Sequence, residues 1–398
     1  MHLFDKSPRV DAAPMQRGES HFEFLNRVAT PYWQRVRDVL EFWFAHYPLD
    51  DRPDLAKRFR SKLDDQHLPA FWELYLHEGL CSDGWQVGVH PPLPGISRRL
   101  DFLATRDDDT LLLEATAIVK PLLSEHQHRL LQAVLKAVDA TETSDFSLGV
   151  DYLAVGGSAP PTRQLRRELK AWLEKLDRVT ILEELKTGHA VTACPEYHWT
   201  PAAGWHLLFR AYPLRDGASS RPGFRAVGMS GPGTAYDVDH DGPLRGKLIE
   251  KLQGLKHLPH PLVIAILDLS EYPLYPSECD RTLYGQTVGV YDPVTLRETH
   301  AFRADDGFWS SGGTRSRDVS GVLVSSRLRP WSVCGREGAT PALWLNPNPT
   351  YRAPTLPWPT FVLAADGLNV DAIPAAKAMH ELFGVSPEWP GPGPAFPV

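Results

Sequence analysis

The stretch Arg98-Arg99-Leu100-Asp101-Phe102-Leu103-Ala104, then Thr105-Arg106-Asp107-Asp108-Asp109-Thr110, then Leu111-Leu112-Leu113-Glu114-Ala115-Thr116-Ala117-Ile118-Val119 reads as a single β-hairpin. Its flanks are apolar and strand-like, and its Asp-rich centre is turn-like. Asp101 and Glu114 are symmetric about the middle of that turn, between Asp107 and Asp108. In an antiparallel pair they become near-opposite neighbours, with Cβ atoms about 5 Å apart. Two carboxylates that close on buried strands repel each other and lose hydration. A divalent cation relieves both costs, and ligands of this type suit Mg2+ or Mn2+. Asp101 and Glu114 are thus the first candidate metal ligands, against the plainer alternative of two exposed acids beside a loop.

Outward from the hairpin, helical spacing dominates the N-terminal side. Residues 1–20 read as a flexible leader. The apolar positions from His21 to His46 recur with helical period, with Pro31 as a break or first-turn residue. Asp54 to Leu63 is a second helix, and Pro69 opens a third that runs to Leu80 and carries Glu73. Trp85 to His90 alternates as a strand. Beyond the hairpin come a helix over Ser124–Ala140, a strand over Phe146–Val155 and a basic helix over Thr162–Leu176. Further on, Gly204–Tyr212 and Phe224–Met229 read as strands. A helix over Pro243–Leu258 leads into Leu262-Val263-Ile264-Ala265-Ile266-Leu267, a run typical of a strand buried on both faces. A helix feeding such a strand suggests that this segment extends the sheet of the hairpin. Short strands are expected at Asp318–Val324 and Leu343–Leu345.

Composition narrows the class. The 398 residues suffice for two or three domains, and 12 Trp with 42% hydrophobic residues indicate a real core. A formal charge of −7 gives no bulk electrostatic case for nucleic-acid binding, though it leaves room for a local basic groove. Cys81, Cys194, Cys279 and Cys334 have neither zinc-finger nor redox spacing, so a reduced, cytoplasmic protein is expected. The polar N-terminus lacks the apolar core of a signal peptide, and no run reaches the ~20 apolar residues of a membrane span. Arg163, Arg166, Arg167 and Lys170 form a basic stripe on one helix, which reads as a solvated face or as a phosphate-contacting surface. Asp107-Asp108-Asp109 is best explained as a solvated turn. Gly228-Met229-Ser230-Gly231-Pro232-Gly233 lacks the ending of a phosphate-cradling loop. His126 and His128, two apart on a helix, do not share a face.

Residues 70–155 therefore read helix, strand, strand, strand, helix, strand, with one acid on the second strand and one on the third. This resembles the core of the PD-(D/E)XK, restriction-endonuclease-like nuclease superfamily. The resemblance implies an α/β (α+β) fold: a mixed central sheet flanked by helices. It implies a helical N-terminal segment over 1–68, a nuclease core over 69–200, and a C-terminal α/β extension over 201–398 able to complete the sheet. In that family, carboxylates from the second and third strands bind the catalytic metal, a role that falls to Asp101 and Glu114. A helix glutamate often completes the site, a role that falls to Glu73. A lysine two residues past the second carboxylate helps to activate water, and here that position is Thr116, giving Glu-Ala-Thr in place of Glu-x-Lys. A threonine hydroxyl can orient water but carries no charge. Lys120, Lys247 and Lys251 are candidate replacements. The resemblance further implies Mg2+ or Mn2+ as cofactor, nucleic acid (DNA foremost) as substrate, a prokaryotic defence or repair setting, and a homodimer or other defence-system subunits as partners. The alternative is a nuclease-like subunit that has lost catalysis and serves binding or assembly.

Overall fold

The computed structural model describes residues 1–93, 98–119, 123–141, 143, 145–186, 194–201, 204–215, 224–232, 241–255, 258–270, 273–295, 297–310, 316–335 and 339–392. The chain divides into two compact units. The first comprises residues 1–10, 20–120 and 238–392, and the second residues 11–19, 121–237 and 393–398.

The first unit opens with α1 (His21–Arg27), α2 (Pro31–His46), α3 (Arg52–Phe59) and α4 (Asp64–Ser82). Ser20 and Glu23 form a reciprocal capping box on α1. Pro31 occupies the first turn of α2, where its fixed φ is helical and no N–H is required. Val28 is extended between the two helices, so the helical run from His21 breaks just before Pro31, as its sequence suggests. α4 starts at Asp64, earlier than Pro69. The carboxylates of Asp64 and Asp65 complement the positive end of the helix dipole, and Pro69 lies inside, at the cost of the bond to the Asp65 carbonyl. Phe71, Trp72, Leu74, Tyr75 and Leu76 are all fully buried, so α4 is an enclosed helix. The first ten residues are not a free leader. Leu3 and Phe4 are buried, and the Phe4 ring lies 6.1 Å from that of Phe22 and 5.7 Å, edge-on, from that of Phe59.

The sheet begins with β1 (Gln86–Val89), β2 (Phe102–Arg106) and β3 (Asp109–Ile118). β2 and β3 form the expected hairpin, in register Phe102↔Leu113 through Arg106↔Asp109. Its tip is Asp107-Asp108, with Asp107 at φ 51°, a left-handed conformation that Asp tolerates. The chain then builds the second unit from α5 (Glu125–Asp139), β4 (Phe146–Ala154), α6 (Thr162–Leu173), α7 (Arg178–Lys186), β5 (Glu196–Trp199), β6 (His206–Pro213) and β7 (Val227–Pro232). Its strands form their own sheet in the order β5-β6-β4-β7. Leu131, Val134, Leu135 and Val138 of α5 and Leu165, Leu169 and Leu173 of α6 pack with Leu148, Val150, Leu207 and Phe209 of that sheet.

The first unit resumes with α8 (Asp241–Leu252), β8 (Leu262–Asp268), α9 (Pro276–Tyr284), β9 (Thr287–Tyr291), β10 (Glu298–Arg303), β11 (Val319–Ser325), β12 (Ala342–Leu345), β13 (Thr360–Leu363), β14 (Val370–Ile373) and α10 (Met379–Leu382). Its sheet has eight strands in the order β1-β2-β3-β8-β11-β12-β13-β14, while β9 and β10 pair as a separate ribbon. β8 runs parallel to β3 on one side and to β11 on the other. That explains its unbroken apolar sequence: every residue of β8 is buried. The molecule is thus a mixed α/β protein with a large mixed sheet flanked by helices.

This topology corrects one expectation. The fifth and sixth elements of the order helix-strand-strand-strand-helix-strand are not the helix and strand of residues 124–155. β4 pairs with β6 and β7 in the second unit instead. Its largely alternating burial suits a sheet covered on one face, in which it runs antiparallel to β6 and parallel to β7, whereas the central strand beside β3 must be apolar throughout. α8 and β8 take those two places. The sheet that carries Asp101 and Glu114 is therefore drawn from residues 86–118 and 262–373, and not from 69–200 alone. Among the described residues no helix is long and apolar enough to cross a membrane.

Candidate functional site

The hairpin register fixes the two acids. Leu103 faces Leu112 across the ladder. Asp101 lies two residues before Leu103, and Glu114 two beyond Leu112, so strand alternation puts both on one face of the sheet. It is the face on which Leu112, Ile264 and Ile266 pack with Leu244, Leu248 and Leu252 of α8. The backbone N–H of Ala115 donates to Asp101 Oδ2 at 2.7 Å, which ties the first carboxylate to the strand bearing the second. Glu114 is only 2% exposed. Burial, then the neighbouring Glu114 and Glu73, push the Asp101 carboxyl up to about 7 from its ordinary value of 3.8, while Lys251 and the Ala115 N–H pull the other way.

Lys251 brings a cation to the third-strand acid. Its ammonium donates to Glu114 Oε1 at 2.8 Å and to the Ala115 carbonyl at 3.0 Å. Lys251 is in the last turn of α8, the helix that leads into β8, so a cation arrives at the third strand from outside the strand's own sequence. Arg98 makes a second close ion pair with Glu114 Oε1 and donates to the Lys251 carbonyl at 3.1 Å. Glu114 Oε2 is buried and has no hydrogen-bond partner among the described residues. Thr116, two residues along β3, shares the Glu114 face and is half-buried. Lys247 pairs with Glu250 at 2.7 Å, and Lys120 lies outside the described residues.

Glu73 approaches from α4, close enough to raise the Asp101 carboxyl, but its own carboxylate is engaged. Arg58 of α3 grips it with two parallel bonds of 2.6 and 2.7 Å. Among the described residues no group of three His, Cys, Asp or Glu side chains is arranged to hold a metal ion. A hard divalent cation needs only one or two protein carboxylates when water and phosphate supply the rest. The crowded Asp101–Glu114 pair, with one buried oxygen left over, fits such a two-acid site. Asp101 and Glu114 would hold the ion, while the Glu73 carboxylate is engaged by Arg58.

The basic stripe is elsewhere. Arg163, Arg166, Arg167 and Lys170 lie on α6 in the second unit and are exposed, opposite the buried Leu165, Leu169 and Leu173. Arg166 also donates to the Ala140 carbonyl at 2.8 Å. Sequence reasoning missed Arg98, Arg58 and the pair His90–Asp51. Arg98 was visible only as the residue opening the hairpin stretch. Arg58 and Asp51 carried no signal, because their partners are 15 and 39 residues away in sequence. No protein-family model, curated protein or solved structure matches this chain.

Proposed function

We propose that this protein is a metal-dependent nuclease that hydrolyses phosphodiester bonds, foremost of DNA, on a divergent restriction-endonuclease-like core. Prokaryotic defence or repair is the setting that the family resemblance suggests. The observation that carries the reading is Lys251: its ammonium sits against Glu114 and the Ala115 carbonyl, beside the third-strand acid where Glu-Ala-Thr leaves the motif without its lysine. The order α4-β1-β2-β3-α8-β8 supports it, with the second unit inserted between β3 and α8.

Asp101 and Glu114 would bind Mg2+ or Mn2+. When bound, the ion would favour deprotonation of an attacking water and neutralise charge on the phosphate. The residues of the chain do the rest. Asp101 must be ionised to serve as ligand, and the cation offsets the repulsion that otherwise favours its proton. Lys251 and Arg98 bring two positive head groups to Glu114, placed to stabilise the charge that builds on the phosphorane. Thr116 can position a water by its hydroxyl. Arg163, Arg166, Arg167 and Lys170 would contact backbone phosphates from the second unit.

A second reading, nucleic-acid binding or complex assembly without cleavage, draws on a specific observation. Arg98 and Lys251 already neutralise Glu114, and Arg58 occupies Glu73, so the acids have partners before any metal arrives. Calorimetric titration with Mn2+ and Mg2+ tests the choice. Binding that disappears in Asp101→Ala and in Glu114→Ala supports the nuclease, and absence of binding in the wild type supports the second reading.

A further inference from the structure

The large sheet carries a cavity that neither the hairpin acids nor the basic stripe uses. It encloses about 440 Å3 where the first turn of α9 and residues 273–275 stand off from β11, β12 and β13. Val324, Ala342, Trp344 and Phe361 form its floor. Register puts them on one face: Val324 pairs with Ala342, and Trp344 pairs with Val322 on one side and Phe361 on the other. Through Val322 and Ile264 the row of Trp344 continues to Glu114, three strands away, a separation of about 14 Å at ~4.8 Å per strand. Ser326 Oγ donates to the Leu274 carbonyl at 2.7 Å and ties the wall to the end of β11, so the cavity is formed before any ligand arrives. The rings of Trp344 and Phe361 lie 4.4 Å apart at 20°, and Tyr275, 54% exposed, stands at the mouth. Burial pushes the Cys279 thiol up, so it lines the cavity as an apolar group. Arg327 is the one charged side chain among the described lining residues. It is exposed and has no ion pair or hydrogen bond among the described residues, and the Thr340 hydroxyl lacks a partner there too. The carboxylate of Glu278, in the first turn of α9, accepts from the Tyr275 N–H at 2.6 Å.

We infer that this cavity binds a nucleotide unit, with the base against the aromatic floor and Tyr275 and the phosphate on Arg327. The volume falls among small-molecule sites, which span about 300–1,000 Å3 and combine apolar walls with a few polar groups. Aromatic faces in an apolar enclosure favour a flat ring. A guanidinium with no carboxylate beside it in the lining favours an anion, and its fork of N–H donors matches phosphate oxygens. Only the hydroxyls of Thr340 and Ser326 are at hand to read a base edge, so different bases bind with similar strength, as stacking alone would have it. The site needs no metal and stands whether or not the hairpin acids cleave. A free mononucleotide and the end of a strand present the same base and phosphate.

Calorimetric titration in chelator, with adenosine 5′-monophosphate and adenosine as probes, tests this. The wild type should bind the monophosphate at least about tenfold more tightly than adenosine, and in Arg327→Gln that ratio should fall to about one. Arg327 is exposed, so the variant should fold as the wild type does. Tyr275→Ala, also at an exposed position, should weaken both probes by about tenfold. The methyl signals of Val324 and Ala342 should shift when the monophosphate is added. A 5′-phosphorylated thymidine tetranucleotide separates the two sources. If it displaces the monophosphate, the cavity takes the end of a strand, and if the monophosphate binds and is not displaced, the cavity takes a free nucleotide. No binding of the monophosphate at millimolar concentration, a ratio unchanged in Arg327→Gln, or methyl signals that stay in place overturns the inference and leaves the nuclease reading untouched. Loss of metal binding or cleavage at the hairpin acids would overturn only that reading.

Discussion

The Asp101 carboxyl offers a test that needs no substrate. Its proton is favoured in the folded protein because burial and Glu114 oppose its charge, which lifts it to about 7 from 3.8. A carboxyl whose folded value is raised binds more protons folded than unfolded. Its contribution is therefore most favourable below about pH 4, declines as pH rises towards 7, and is flat above. At about 1.36 kcal/mol per pH unit, the full cost of ionising Asp101 in the fold is roughly 4 kcal/mol, an upper figure because solvent and Lys251 relax around it. Asp101→Asn removes that charge and keeps an oxygen to accept the Ala115 N–H. Urea unfolding followed by tryptophan fluorescence should find Asp101→Asn more stable than wild type by about 1–4 kcal/mol at pH 8, with the difference shrinking to about 1 kcal/mol or less at pH 4.5. Millimolar Mn2+ should narrow the difference at pH 8 by stabilising only the wild type. A variant no more stable than wild type at pH 8, or equally stabilised at both pH values, would refute the crowding of the two carboxylates.

Other outcomes follow from the same geometry. Lys251→Met leaves Glu114 with Arg98 alone and should destabilise the first unit by about 2–4 kcal/mol while cutting cleavage on the order of 10²- to 10³-fold; unfolding and rate are measured on the same sample. Glu73→Gln should reduce cleavage less than about tenfold, since its carboxylate serves Arg58, and a loss as deep as that of Asp101→Ala would show that Glu73 is a ligand after all. Replacing Arg163, Arg166, Arg167 and Lys170 together by alanine should weaken binding of random-sequence DNA and flatten its salt dependence by up to about 4 in slope, measured by fluorescence anisotropy; an unchanged slope would remove α6 from the interface.

The hairpin and its acids were legible because they are local. Alternation, turn composition and symmetry about Asp107-Asp108 fix the Phe102↔Leu113 register within twenty residues, and the apolar run Leu262–Leu267 announces a strand covered on both faces. What was not legible is long-range. The strand beside β3 comes from residues 262–268, after an insertion that supplies helices and strands of its own, and only an alternating pattern, shared by many strands, sets β4 apart from the strand beside β3. The same holds for charge. Lys251 reaches Glu114 across 137 residues of sequence, and Arg58 pairs with Glu73 from the preceding helix. Leu3 and Phe4 were hidden by polar neighbours, since two buried side chains suffice to anchor a segment that composition presents as a leader.

The most direct measurement is cleavage of supercoiled plasmid and single-stranded DNA with Mg2+ or Mn2+, comparing wild type with Asp101→Ala and Glu114→Ala. The wild type should cleave and stop on addition of chelator, and each variant should lose at least on the order of 10²-fold in rate. Cleavage that survives both substitutions or ignores chelator contradicts the proposed site. DNA binding without cleavage by the wild type contradicts a catalytic role and leaves the binding subunit.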